Sequence, residues 1–435
     1  MSNVAKIIIR NNVSIGIFSF FNALLNFISI PLLIGFIGTV DYGLFLYCQL
    51  FTYIGLCPLL CFGLPLMLNK YVSLNRATNN ESDSMRLMVF SIALVFIIGI
   101  IVILSYIFFE NSILKILQVP ESKKLKFNFV FFLTILSMPF QLMFIILKSY
   151  FEGKNNYVFV RGSEFIKSLI FIICALILGL LGSSFYEFIL ISLVIFFIFL
   201  FLFFYYFYKD FIKQKVEISI FAIYCSLKPK IYFLKKVTIQ SVFSSISNNI
   251  EKFFIMLFLN PNLMTLYEIL IKIPKLIKNF FSLSNTGTLT AISSYVYKKS
   301  SDSLPKIFLF MSYLNFLVAI SITMTVVFFA KEILYFWLGN DYLFLSNQLS
   351  VLLIFYLVMS VFVISGQIAL IKSYRLDLLN YLSFGIIISK LLILYFAKNM
   401  DLWAVIFCEL ANIFTWLLLF YVIKYLKVSL FGFIK

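Results

Sequence analysis

Continuous apolar blocks of about 20 residues recur along the chain, separated by short polar stretches. A block of that length crosses the hydrocarbon core as a helix. Membrane β-strands would alternate every second residue, and these runs do not. The pattern predicts spans at 13–36, 43–68, 87–109, 127–150, 162–182, 185–208, 237–259, 263–286, 306–330, 346–370, 379–397 and 402–423. An even number of spans puts both termini on one side. The polar stretch Lys209–Lys236 separates residues 1–208 from residues 237–435 as a basic linker. The expected fold is an all-α polytopic membrane protein with two parallel six-helix lobes around a central cavity. Sliding one half on the other by 226 residues pairs Arg10 with Lys236, Ser19 with Ser245, Asn22 with Asn248 and Asn26 with Lys252, as an internal repeat would.

Some spans break the apolar rule. In Leu266–Phe281, LYEILIKIPKLIKNFF, residues Glu268, Lys272, Lys275 and Asn279 fall within an arc of about 60°, with Lys278 on its flank. A central lysine costs roughly 2.5–3.5 kcal/mol on insertion scales, and each Leu, Ile or Phe returns only about 0.3–0.6. This helix therefore needs protein or water against its charged stripe. The alternative, a helix lying along the membrane surface, would reverse the sidedness of every later loop. Glu268 and Lys272 are four apart and suited to neutralise each other. The seventh span is also polar, with Gln240, four serines, Asn248, Asn249, Glu251 and Lys252. The first repeats the habit more mildly with Ser14, Ser19, Asn22, Asn26 and Ser29. Each of these alone suits interhelical hydrogen bonding, but their related positions in the two halves favour a shared wet cavity.

Charge fixes the orientation. If both termini are cytoplasmic, 24 of the 35 Lys and Arg fall on the cytoplasmic side, six fall outside and five lie within spans. This bias accounts for the net charge of +17 without nucleic acid. Hydrophobic residues make up 63% of the chain and charged residues 12%, with a mean hydropathy of +1.05. Histidine is absent, which removes the commonest acid–base catalyst. The six cysteines form no CxxC pair, so neither zinc nor a disulfide framework is indicated. No nucleotide-binding loop is present, and no cofactor is expected. External loops are short, which disfavours a polymerase or glycosyltransferase with external catalytic groups.

Single residues leave alternatives open. Gln141 beside Pro139 marks either a broken helix lining a path or a plain kink. Glu164 and Lys167, three apart, read as an interfacial pair near a cytoplasmic end. Lys390 and the Glu409/Asn412 pair lie deep in the last two spans, where an ion pair between helices is the plain reading.

The opening IIIRNNVSIGIFSFFNALLNFISIPLLIGFIGTVDYGLFLYCQLFTYIGL resembles the start of bacterial O-antigen and capsule flippases of the multidrug/oligosaccharidyl-lipid/polysaccharide superfamily. NNIEKFFIMLFLNPNLMTLYEILIKIP is similar to the start of their second half, where an acidic residue ends a polar helix and a Tyr-Glu-x-x-x-Lys segment follows. The resemblance implies a V-shaped pair of lobes around a cationic cavity, in the inner membrane of a bacterium, with no enzymatic activity. The implied cargo is a polyprenyl-pyrophosphate-linked oligosaccharide. On this reading Arg10, Lys252, Lys272, Lys275 and Lys278 supply a positive field, and Asn22, Asn26, Asn248 and Asn249 meet sugar hydroxyls. Glu251 and Glu268 are candidates for a coupling proton or sodium ion, and the lipid bilayer, an O-antigen polymerase and a chain-length regulator are candidate partners. A multidrug exporter of the same superfamily is the alternative. The scarcity of deep carboxylates in the first half argues against it.

Overall fold

The computed structural model describes residues 3–214, 216, 219–277, 304–360 and 376–414. Among them the protein is helical throughout: α1 (Asn3–Leu50), α2 (Cys57–Leu60), α3 (Leu64–Ala77), α4 (Glu81–Ile116), α5 (Lys124–Leu136), α6 (Met138–Gly153), α7 (Tyr157–Leu180), α8 (Phe185–Gln214), α9 (Ile220–Leu227) and α10 (Ile231–Phe258). There follow α11 (261–277), α12 (Leu304–Phe328), α13 (Ala330–Leu338), α14 (Ser346–Ser360), α15 (Leu376–Phe396) and α16 (Leu402–Cys408). Four helical stretches are long and apolar enough to cross a membrane: Gly16–Leu50, Glu81–Ile116, Tyr157–Leu180 and Phe185–Gln214. Two bent pairs add to them. Glu121–Leu136 with Met138–Gly153 turns by 45°, and Phe316–Phe328 with Ala330–Leu338 by 68°. The expected spans at 263–286, 346–370 and 402–423 run into residues outside the described set.

The described residues fall into two compact units, one of residues 17–265 and one built from residues 266 onward with the first turns of α1. The first unit holds the expected first span from residue 17, the expected spans two to seven and the linker helix α9. Its helices are sorted by face. On α4, Met85, Met88, Ser91, Val95 and Gly99 are buried at helical spacing, while Ile97, Ile101, Leu104 and Phe108 are exposed. In lipid that outward apolar face is at home, so the buried face is chosen by fit rather than by hydrophobicity. Its interior is aromatic. Phe144, Phe151, Phe159 and Phe203 interlock with ring centroids 4.7–5.6 Å apart.

Helix boundaries depart from the expected spans in instructive ways. α1 runs through the first loop, broken only at Gly38, whose φ of 79° takes it out of helical geometry. The second span is not one helix. It breaks over residues 51–56 and again near Phe62, where Gly55, Pro58, Gly63 and Pro65 crowd together and proline cannot continue a helical hydrogen-bond ladder. α7 begins at Tyr157, five residues before the expected span start at 162, which sets its charged residues deeper.

In the second unit, Leu334, Leu345, Leu349, Leu352, Leu353, Ile406 and Cys408 form the core of the described part. Glu409, Asn412 and Tyr356 are buried there together, with the Asn412 amide and the Tyr356 hydroxyl donating to the Glu409 carboxylate. Lys390 is buried as well, 3% exposed.

Candidate functional site

The break in the second span leaves backbone groups without helical partners at membrane depth, where each unsatisfied group costs several kcal/mol. Tyr53 shows how this is met. Its N–H donates to Gln141 Oε1 at 2.6 Å, Gln141 Nε2 donates to Ser137 Oγ at 2.6 Å, and Ser137 Oγ donates to the Thr134 carbonyl at 2.6 Å. Gln141 is 1% exposed and sits one turn past the 45° bend between α5 and α6. Of the two alternatives for Gln141, the structure shows the bend, and Gln141 itself is buried. The bend beside Pro139 is real, and its purpose here is to satisfy a broken neighbour.

α6 and α7 run antiparallel and meet through polar rungs. Arg161 pairs with Glu152 at 3.0 Å. One turn further in, Lys148 pairs with Glu164 Oε1, while Glu164 Oε2 takes Arg161 at 2.9 Å. The next rung brings Lys167 to Phe144, with Nζ 5.7 Å from the ring centroid. Lys167 Nζ also lies 3.8 Å from the Tyr53 ring centroid and 5.9 Å from that of Phe196, and it donates to the Tyr53 hydroxyl. Tyr53 in turn stacks on Phe196 and meets Phe144 edge-on. Lys167 therefore does not form the interfacial pair with Glu164 that their spacing suggested, because both oxygens of Glu164 are engaged elsewhere. Along α7 it stands about 15 Å from Tyr157, near the middle of the helix.

The energetic balance of this core is uneven. Two carboxylates, Glu152 and Glu164, face three cations, Lys148, Arg161 and Lys167. Contacts with aromatic faces are worth about 0.5–2 kcal/mol, and a central lysine costs roughly 2.5–3.5. Aromatic faces and a neutral hydroxyl around Lys167 thus offset only part of the cost of a cation there. The core is also not sealed, since Lys167 is partly exposed and the Lys148 and Glu164 side chains are 24% and 19% exposed.

The expected site residues are distributed as follows. Asn22 and Asn26 are partly buried on α1. Ser168, next to Lys167, donates to Asn22 Oδ1 at 2.6 Å, and Asn26 Nδ2 donates to the Asn22 carbonyl at 2.8 Å. Phe165 lies between Phe18 and Phe21 and seats α1 on α7. On α10, Asn248 is exposed, Asn249 donates to the Ser245 carbonyl at 2.9 Å, Glu251 is buried and Lys252 is partly buried. On α11, Glu268 and Lys272 form the expected pair at 3.8 Å, and Lys275 is partly buried. The side chain of Arg10 and the whole of Lys278 lie outside the described residues. The structure therefore joins Asn22 and Asn26 to the α6–α7 core. Lys148 and Arg161 escaped the sequence analysis, which counted them in cytoplasmic segments, and Lys167 was expected only as the interfacial partner of Glu164. Their spacing on facing helices was the available signal, but it acquires meaning only once the antiparallel register is known.

Comparison with known proteins agrees with this architecture. A search of curated proteins returned no match. Among solved structures, an inward-facing multidrug resistance MATE family transporter of the MOP superfamily superposes with a TM-score of 0.68 at 13% identity, covering 96% of this chain and 98% of that one. A MOP superfamily transporter from Pyrococcus furiosus, described as having a binding pocket of reverse polarity that suggests a different function, gives 0.69 at 14% identity, covering 98% and 97%. The eukaryotic MATE transporter AtDTX14 gives 0.63 at 13%, covering 96% of each chain. At such identities the likeness shows a shared fold. The family model described as "Polysaccharide biosynthesis protein" matches residues 8–290. The helical membrane architecture, the transporter fold and this match agree: the chain belongs to the polysaccharide biosynthesis protein family.

Proposed function

We propose that the protein flips a polyprenyl-pyrophosphate-linked oligosaccharide from the cytoplasmic to the periplasmic leaflet of a bacterial inner membrane, by alternating access of two helical lobes. The observation that carries this reading is the cationic surplus where α6 packs on α7, three basic groups to two carboxylates. A pyrophosphate head needs such a field, and the family's tie to polysaccharide biosynthesis supplies the glycan. The description of the Pyrococcus furiosus relative already links pocket polarity to function in this fold. An exporter of cationic drugs would need carboxylates free to meet its cargo, and both carboxylates of this core are held by basic side chains.

In this mechanism Arg10, Lys252, Lys272, Lys275 and Lys278 extend the positive field. Asn22, Asn26, Asn248 and Asn249 exchange their present hydrogen bonds for sugar hydroxyls. Glu251, which is buried, and Glu268, which has Lys272 at 3.8 Å, are the candidates for a coupling proton or sodium ion. The test is deletion of the gene followed by analysis of lipid-linked intermediates. Single repeat units should accumulate facing the cytoplasm. Units that reach the periplasmic face unpolymerised would point to a polymerase, and unchanged glycan with altered drug tolerance to an exporter.

A further inference from the structure

The ladder between α6 and α7 has a gap. Acid meets base at Glu152–Arg161 and at Lys148–Glu164, but the third rung sets Lys167 against Phe144. Lys167 makes no ion pair among the described residues, and the only hydrogen bond it makes there is to the neutral Tyr53 hydroxyl. Tyr53 belongs to the unwound stretch 51–56, and irregular backbone at membrane depth is tolerated where it is buried in protein or lines a cavity. Discontinuous helices near mid-membrane are where transporters of many folds place their ligands. A lysine that is partly exposed as a residue, sits on a helix long and apolar enough to cross a membrane and makes no ion pair among the described residues is a functional candidate by default. We propose that Lys167 is the anion contact of the cargo at mid-membrane: an anionic oxygen, phosphate or carboxylate, replaces the Tyr53 hydroxyl as its partner and completes the third rung. This rests on the flippase reading and adds to it the residue that grips the charged group.

The arrangement argues for an anion and for this residue. Lys148 and Arg161 are already neutralised, so a ligand would gain less by approaching them. Tyr53, Phe144 and Phe196 wall the ammonium with faces that stabilise a cation yet add no negative charge for an incoming anion to displace. Ser168 and Asn22, beside Lys167 on α7 and α1, offer hydroxyl and amide groups for the sugar next to the charge.

The test uses the purified full-length chain in lipid nanodiscs, with two probes: a polyprenyl pyrophosphate lacking sugar, and free glucuronic acid. Wild type and Lys167→Arg should bind the same probe within about threefold of each other, and Lys167→Gln should bind it at least tenfold more weakly, a loss of about 1.4 kcal/mol. Which probe binds identifies the source of the anion. A Lys167→Met variant guards against misfolding. Removing a cation that no carboxylate pairs should leave its melting temperature no lower than that of the wild type, whereas a purely structural lysine would lower it. Equal binding by wild type and Lys167→Gln overturns the proposal and leaves the flippase reading standing. So does a wild type that binds neither probe, because the leaflet assay of the deletion strain judges that reading separately.

Discussion

Gln141 joins two irregular helices with one amide group, and it is the residue whose removal should be felt most. Leucine at this position fills much of the same space but leaves the Tyr53 N–H unpaired at membrane depth. We expect Gln141→Leu to destabilise the purified protein by about 1–3 kcal/mol, read as a drop in melting temperature. Tyr53→Phe keeps that backbone bond and should cost less. A Gln141→Leu protein as stable as the wild type would mean that the N–H has another acceptor. The sequence marked Gln141 as unusual, since an amide inside an apolar run needs a reason. It could not name the reason, because the partner lies 88 residues away along the chain.

At the scale of elements, the meeting of α1 with the start of α11 shows how closely backbones approach. A side chain at Gly43 would place its Cβ 1.9 Å from the Pro261 carbonyl oxygen, and backbone cannot move aside as a rotamer can. Beside it, Thr265 Oγ1 donates to the Thr39 carbonyl at 2.7 Å. Thr39 and Thr265 are 226 residues apart, the same offset that pairs Asn22 with Asn248 in the sequence. Gly43→Val should therefore force the two segments apart, with a stability loss of about 1–3 kcal/mol or more and reduced surface glycan. Normal melting and normal glycan would show that the approach is not needed. The second span was expected to run unbroken over 43–68, although the prolines and glycines that interrupt it stand in the sequence. The rungs between α6 and α7 were not legible there, because periodicity within one helix says nothing about which residues face it from the next.

For the whole molecule, the distribution of Lys and Arg predicts where each loop resides. A fluorescent reporter that folds only in the cytoplasm should light up when fused after Lys435, and a periplasmic phosphatase fused after Leu117 should be active. The opposite pattern would invert the proposed direction of transport. That the chain is a helical membrane protein follows from its apolar blocks alone, since bilayer thickness and the need to satisfy backbone hydrogen bonds leave no other structure for them. The polar character of the spans holding Asn22, Asn248 and Lys272 was likewise visible, because the cost of such residues in lipid is local to each side chain. What tertiary structure decided is which charges cancel. Glu164 could have met Lys167 within its own helix, yet Lys148 and Arg161 take both of its oxygens and leave Lys167 to the aromatic rings. Cancellation depends on distances of a few ångströms across the packing of α6 on α7, and for Lys167 on Tyr53, 114 residues away along the chain, and only folding sets them.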